Sequence, residues 1–311
     1  MSELVISEFM DEASVAALRQ RFHVLYDPAL VEDRPRLSRA LQGARGLIVR
    51  NRTQVRDELL AAAQNLKVIG RLGVGLDNID VEACRARGIR VVPATGANNI
   101  AVAEYVIAAM LMLVRGVFDA NGAMLAGEWP RGRLMGGEVH GRSLGLVGFG
   151  GIARAVARRA QALGLRIHAF DPALAPDAAL WRQLDVSPAA SLDELLAHSD
   201  VVSVHVPLTG HTRHLIDTAR LATMPKGAIL INTARGGVVD DQALARALRD
   251  GHLGGAAVDV FEDEPLPAES AYRDVPNVVL TPHIAGITRE SNARVSAMIA
   301  DAVTEALETN A

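Results

Sequence analysis

The sequence predicts an α/β protein built from two doubly wound parallel-sheet domains, and three observations carry that reading. Short β-branched runs alternate with helical patterns along nearly all of the 311 residues, the order expected when parallel strands are joined by helices that cover both faces of a sheet. A Gly-rich, Arg-containing loop at 127–141 separates two such series. The length suits two domains, and a chain that is 50% apolar and 22% charged can bury a large core.

In the first series, strands are expected at residues 4–6, 24–26, 46–49, 68–70 and 90–92. Helical patterns fall between them, among them 56–63 and 81–87, the second stopped by Gly88. Residues 100–126 place Ala, Leu and Met at helical spacing with no proline, which predicts one long helix joining the domains, with Met110, Met112 and Met124 as packing residues. In the second series, strands are expected at 144–147, 166–170, 201–205, 228–232, 256–260 and 278–280. Six strands with intervening helices make a complete dinucleotide-binding domain of two mononucleotide halves. A last helix over about 289–308 is expected to pack back on the first domain.

Charge and cysteine content narrow the function classes. There are 32 Lys plus Arg against 36 Asp plus Glu, a formal charge of −4, which argues against a protein that grips nucleic acid by neutralising phosphates. Cys84 is the single cysteine, so neither an intramolecular disulfide nor a multi-cysteine metal site can form, and a reducing compartment fits. The opening MSELVISEF has no basic n-region, and the longest apolar stretch, 101–114, is short and contains Glu104. The expectation is a cytoplasmic protein with no signal peptide and no membrane partner.

The segment SLGLVGFGGIARAV sets Gly148, Gly150 and Ala153 directly between an apolar strand and a helical pattern. This is the G-x-G-x-x-G/A turn of a Rossmann domain. Its first glycine permits the turn, its second lets the backbone approach a pyrophosphate, and its small third residue lets the helix pack on the strand. Free N–H groups at the helix start face the phosphates. Asp171 closes the next strand, RIHAF, where a carboxylate accepts bonds from adenosine ribose hydroxyls and repels a 2′-phosphate, so NAD is expected over NADP.

Doubly wound sheets bind ligands at the carboxyl ends of their strands, and three residues stand there. Arg235 follows AILIN in INTARGGVVD, Glu264 follows AAVDVF, and His283 follows NVVL in LTPHIAG. A guanidinium can grip a carboxylate through two parallel hydrogen bonds. A His beside a carboxylate can give a proton to a carbonyl oxygen as hydride reaches carbon, and can take it back in the reverse reaction. Taken one at a time, each also reads as a core histidine, a solvated loop acid or a surface ion-pair partner.

These contexts, with RLGVGLDNID, NNIAVAE, LGLVGFGGIA and HVPLT, resemble the D-isomer-specific 2-hydroxyacid dehydrogenases over nearly the whole chain. The resemblance implies a flavodoxin-like substrate domain at 1–98 with 284–311, a Rossmann NAD-binding domain at 99–283, and an active site in the cleft between them. It implies that Arg235 orients the substrate carboxylate and keto oxygen, that Glu264 assists, and that His283 is the acid/base. It further implies NAD contacts from Phe149, Gly150, Gly151 and Ile152 of the turn, from Asp171, His205, Pro207, Thr212, Thr233, Ala234 and Gly286, and a carboxamide contact from Asp259. Backbone N–H groups of Val74 and Gly75 would meet the substrate carboxylate. The chain ends where many phosphoglycerate dehydrogenases carry a regulatory domain, so serine feedback is not expected. A homodimer through the helix at 100–126 is expected, as in the family.

Within the family, Arg50 and Asn51 of IVRNRTQV match positions that face the substrate in the phosphoglycerate branch. A cation there suits a second anionic group, phosphate or sulfonate. Arg50 stands equally between that role and a solvated sheet edge, Arg52 is read as solvated, and Arg71, Arg131 and Arg133 could add to the field. ISEFMDEA, IVRNRTQV and ATGANNIAVAEYV are also similar to (S)-sulfolactate dehydrogenases. The expected substrate is therefore 3-sulfolactate or 3-phosphoglycerate, with a general glyoxylate or hydroxypyruvate reductase as the alternative. An NAD-sensing corepressor shares the fold, but no basic tail supports it. Formate dehydrogenases have Gln where this chain has Glu264.

Overall fold

The computed structural model describes residues 2–116 and 120–309. They form two compact units, Met1–Asn98 with Ile287–Ala311, and Asn99–Gly286. Residues 284–286, expected with the first unit, belong to the second. Their backbone is tied there by Asp259, whose carboxylate accepts the N–H groups of Ile284 and Ala285, each at 2.8 Å.

The first unit holds β1 (Leu4–Ile6), β2 (Val24–Tyr26), β3 (Gly46–Val49), β4 (Val68–Arg71) and β5 (Arg90–Pro93) in the order β2-β1-β3-β4-β5, with every pairing parallel. This is the flavodoxin-like order, whose switch point lies between β1 and β3. The strands read as continuous apolar runs because both faces are covered. Leu4, Ile6, Ile48 and Val68 pack on the helix Arg289–Thr309 through Ile299 and Val303. Val5, Leu47, Val49 and Ile69 pack on Leu37, Leu41, Leu59 and Leu60 with the buried, free Cys84. Gly70 lets the long helix come close, since a Cβ there would lie 2.5 Å from Ile299.

The second unit holds β6 (Ser143–Val147), β7 (Arg166–Phe170), β8 (Ser187–Pro188), β9 (Val201–Val204), β10 (Ile229–Asn232), β11 (Gly255–Val258) and β12 (Val278–Leu280). All are parallel, in the order β12-β11-β10-β9-β6-β7-β8. This is the dinucleotide-binding order, with its switch point between β6 and β9. The sheet has one strand more than expected, β8, a two-residue edge strand containing Pro188. Proline is tolerated on an edge and so short a run has no period to read.

The helix expected at 100–126 is not continuous. It runs Asn99–Arg115 and ends where Gly116 takes φ +64, the left-handed conformation that terminates helices. A separate helix, Ala120–Leu125, buries none of its residues, and its Met124 is 44% exposed rather than packed. Residues 117–119 of the expected helix lie outside the described residues. Among the described residues, no helix is long and apolar enough to cross a membrane.

Candidate active site

The turn after β6 has the geometry that its glycines predict. Gly148 takes φ +85, and a Cβ on it would lie 2.7 Å from the His205 carbonyl oxygen, so only glycine fits. Gly150 caps the helix Gly151–Ala162 with no side-chain hydrogen bond, and the space where its Cβ would stand is open. The first N–H groups of that helix therefore have room for an anion. Ala153 is fully buried against the sheet. After β10, the buried Thr233 hydroxyl has no partner among the described residues. An open helix start after β6 and an orphaned hydroxyl after β10, on the same edge of the sheet with β9 between them, fit a bound dinucleotide pyrophosphate and its adjoining groups.

Asp171, just after β7, braces this turn. Its Oδ2 accepts the Phe149 N–H at 2.8 Å and its Oδ1 accepts the Ala173 N–H at 3.0 Å, which leaves lone pairs on both oxygens. Phe149 itself points inward, fully buried and stacked on Trp181 at 4.9 Å. The chain places Phe149 as a packing residue whose N–H is already taken. Gly151 and Ile152 open the helix behind it, and a Cβ on Gly151 would lie 2.4 Å from the Asn99 amide. In the loop after β9, the Thr212 hydroxyl donates to the Pro207 carbonyl at 2.6 Å, and His205 Nε2 lies 2.9 Å from Ser203 Oγ. Burial pulls the His205 pKa down to about 4, so its imidazole is neutral.

The expected triad is assembled by the loops after β10, β11 and β12. The Asn232 amide shapes the first, accepting the Ala234 N–H at 3.1 Å and donating to the Arg235 carbonyl at 3.2 Å. Arg235 is half-buried, with Nη1 donating to the Ala234 carbonyl at 2.7 Å. Gly236 then passes so near the second loop that a Cβ would lie 1.7 Å from Phe261 O. That second loop is clamped from behind, because the Glu262 N–H and the Tyr272 hydroxyl both donate to Asp241, at 3.3 and 2.7 Å.

Glu264 leaves this loop with Oε1 accepting the Phe261 N–H at 3.2 Å and Oε2 lying 2.8 Å from His283 Nδ1. Both side chains are 34% exposed, shielded yet reachable. Burial pushes the Glu264 carboxyl up, but the His283 hydrogen bond and charge, the Phe261 N–H and the Arg235 charge outweigh it and hold it below its ordinary value. An ionised carboxylate only accepts, so His283 Nδ1 carries the hydrogen and Nε2 is left to exchange a proton. Asp259, expected at the carboxamide, is 1% exposed and its carboxylate accepts from Thr281, Ile284 and Ala285. Gly286 follows that turn. Thr281 and Tyr105, 2.6 Å apart, are connected to the site although neither drew notice as a site residue.

In the first unit, the loops after β3 and β4 carry the expected substrate residues, and the loop after β1 carries Glu8. Glu8 is 5% exposed, and its carboxylate accepts the N–H groups of Arg50, Thr53 and Arg52 at 2.8, 3.0 and 3.2 Å. From the other side, the Asn78 amide donates to the carbonyls of Arg50 and Thr53 at 3.1 and 2.7 Å. Arg50 lies 5.6 Å from the Phe9 ring and donates to Asn292 at 2.5 Å. Burial lowers its pKa, with Glu8 and Tyr26 opposing. Arg52 pairs with Glu32, both well exposed, as a solvated residue. Asn51 is exposed. After β4, the Arg71 guanidinium lies against Gly73, and among the described residues the N–H groups of Val74 and Gly75 have no acceptor. Asn98 Oδ1, also buried without a partner, is a further candidate that its sequence context did not mark.

Residues 107–285 match the family described as D-isomer specific 2-hydroxyacid dehydrogenase, NAD binding domain. The chain is 56% identical over 311 residues to (S)-sulfolactate dehydrogenase of Chromohalobacter salexigens, covering 100% of both. It is 36% identical to D-3-phosphoglycerate dehydrogenase of Methanocaldococcus jannaschii, covering 99% of this chain but 58% of that one. Among solved structures, a glyoxylate reductase from Paecilomyes thermophila superimposes with a TM-score of 0.86 at 32% identity, covering 99% and 95%. Family model, full-length relative and strand-end geometry agree: this chain belongs to the D-isomer-specific 2-hydroxyacid dehydrogenases, and its second unit is an NAD-binding domain.

Proposed function

We propose that this NAD-dependent dehydrogenase acts on a small 2-hydroxy acid with a second anionic group, 3-sulfolactate before 3-phosphoglycerate. The observation that carries the choice is Arg50. Its backbone is clamped by Glu8 and Asn78 at the switch point of the first sheet, and its guanidinium is partly desolvated over Phe9. A cation so placed favours an anion. The full-length similarity to (S)-sulfolactate dehydrogenase ranks sulfonate above phosphate. The likeness to a glyoxylate reductase supports a general glyoxylate or hydroxypyruvate reductase as the second reading.

In the proposed reaction, Arg235 holds the substrate carboxylate and the adjacent oxygen as a fork. His283 Nε2 accepts the hydroxyl proton during oxidation and returns it during reduction. Glu264 keeps Nδ1–H oriented and stabilises the imidazolium. NAD, when bound, supplies the hydride acceptor or donor. Gly148, Gly150, Gly151 and Ile152 would seat its pyrophosphate, Thr233 and Ala234 with His205, Pro207, Thr212 and Gly286 would line its remaining length, and Asp171 would favour it over NADP.

The same reading includes a homodimer in the cytoplasm. Leu125, Trp129 and Met135 are 90%, 73% and 84% exposed along one stretch of chain, which suits a covered surface. Light scattering that finds a monomer removes the dimer. The substrate test is NADH oxidation against sulfopyruvate, phosphohydroxypyruvate, hydroxypyruvate and glyoxylate, repeated with NADPH. A much higher kcat/KM for sulfopyruvate supports the reading, and equal weak rates on all four overturn it.

A further inference from the structure

His283 sits on a left-handed backbone, φ +56, which a non-glycine residue keeps only where its surroundings hold it. Asp259 does the holding from both sides. Its carbonyl accepts the His283 N–H at 2.8 Å. Its buried carboxylate takes the next two N–H groups, Ile284 on Oδ1 and Ala285 on Oδ2, each at 2.8 Å.

That carboxylate is itself oriented. The Thr281 hydroxyl donates to Oδ1 at 2.6 Å, and Tyr105 Oη lies 2.6 Å from Thr281 Oγ1. A hydroxyl has one proton, and Thr281 gives its own to the carboxylate, so Tyr105 must be the donor of the second bond. The chain runs one way, from Tyr105 on the helix Asn99–Arg115 through Thr281 to Asp259. Burial raises the Tyr105 pKa, the Thr281 bond opposing and the Asp259 charge adding, so the donor proton stays in place.

We propose that Tyr105 and Thr281 are positioning residues for His283, their two hydroxyls fixing the Asp259 carboxylate that sets the backbone of the acid/base loop. This rests on His283 being the acid/base. Misplacement of a reacting group by ~1 Å can cost about a hundredfold in rate, so a small tilt of this loop is enough to matter.

Tyr105→Phe and Thr281→Val each delete one hydroxyl at nearly constant shape, and Thr281→Ser restores it. With NADH and sulfopyruvate, kcat falls about tenfold or more in the first two variants, while KM and NADH affinity change less than about twofold. Thr281→Ser recovers the rate, and the Nδ1 proton resonance of 15N-labelled His283 moves in the slow variants. In a His283→Asn background, adding Tyr105→Phe costs nothing further. A lower Tm with unchanged kcat, or weaker NADH binding with unchanged kcat, overturns the proposal. So does an equal loss in both backgrounds. Wild-type turnover by His283→Asn alone removes the acid/base reading, and the proposal with it. If Thr281→Val does not fold, Tyr105→Phe decides.

Discussion

The backbone of Gly236 presses on the backbone of Phe261 so closely that a Cβ would stand 1.7 Å from the Phe261 carbonyl oxygen. The loop that presents Arg235 and the loop that presents Glu264 are therefore one mechanical unit. Gly236→Ala forces one of them to move and costs about 2 kcal/mol or more. Calorimetry shows a lower Tm, and turnover falls more than the stability loss explains. A variant with normal Tm and normal kcat refutes this coupling.

His283→Ala removes the proposed proton carrier. Turnover falls by about 10²–10⁴ while NADH still binds in a fluorescence titration. Glu264→Gln keeps a hydrogen-bonding group opposite Nδ1 but loses the charge, and gives a smaller loss in kcat. Unchanged turnover in His283→Ala takes that residue out of the mechanism.

Arg235→Lys exchanges a two-pronged donor for a single ammonium. KM rises and kcat drops together, since in the proposed reaction the fork both binds the substrate carboxylate and orients it. Normal steady-state kinetics would make Arg235 a structural residue.

Arg50→Gln separates the anion from the chemistry. It lowers kcat/KM for sulfopyruvate by about tenfold or more, the loss of a charged hydrogen-bond partner being worth about 1.5–3 kcal/mol, and leaves glyoxylate turnover nearly as it was. Equal losses on both substrates would show that Arg50 supports the fold and not the distal group.

His205 has a folded pKa of about 4 against an ordinary 6.5. Between those values the unfolded chain binds the proton that the folded chain refuses, so the contribution is intact above pH 6.5 and is lost as pH falls toward 4. Urea melts of His205→Asn across that window have a shallower pH slope than the wild type. Parallel slopes would mean that His205 is protonated in the fold.

What the sequence made legible was local. Gly148, Gly150 and Ala153 lie within one turn, and Arg235, Glu264 and His283 each follow an apolar run that is plainly a strand. The parts that escaped depend on partners distant along the chain. Tyr105 and Thr281 are 176 positions apart, and Glu8 meets Arg50 across 42, so no periodicity joins them. Arg50 and Arg52 stand two apart in IVRNRTQV, and partners from other segments separate them, Phe9 and Asn292 at Arg50 and Glu32 at Arg52. The helix end after Arg115 is marked by one glycine, Gly116, inside an otherwise helical composition, and β8 is two residues long.

Because Glu8 accepts the N–H groups of Arg50, Arg52 and Thr53 and Asn78 donates to the carbonyls of Arg50 and Thr53, the path of that loop is set largely by two side chains from other segments. On the proposed function, Arg50 and Asn51 then form a reading head on a fixed mount. A lineage, or an engineer, can rewrite those two letters to suit a new acid and leave the proposed proton-transfer pair of the second unit as it is.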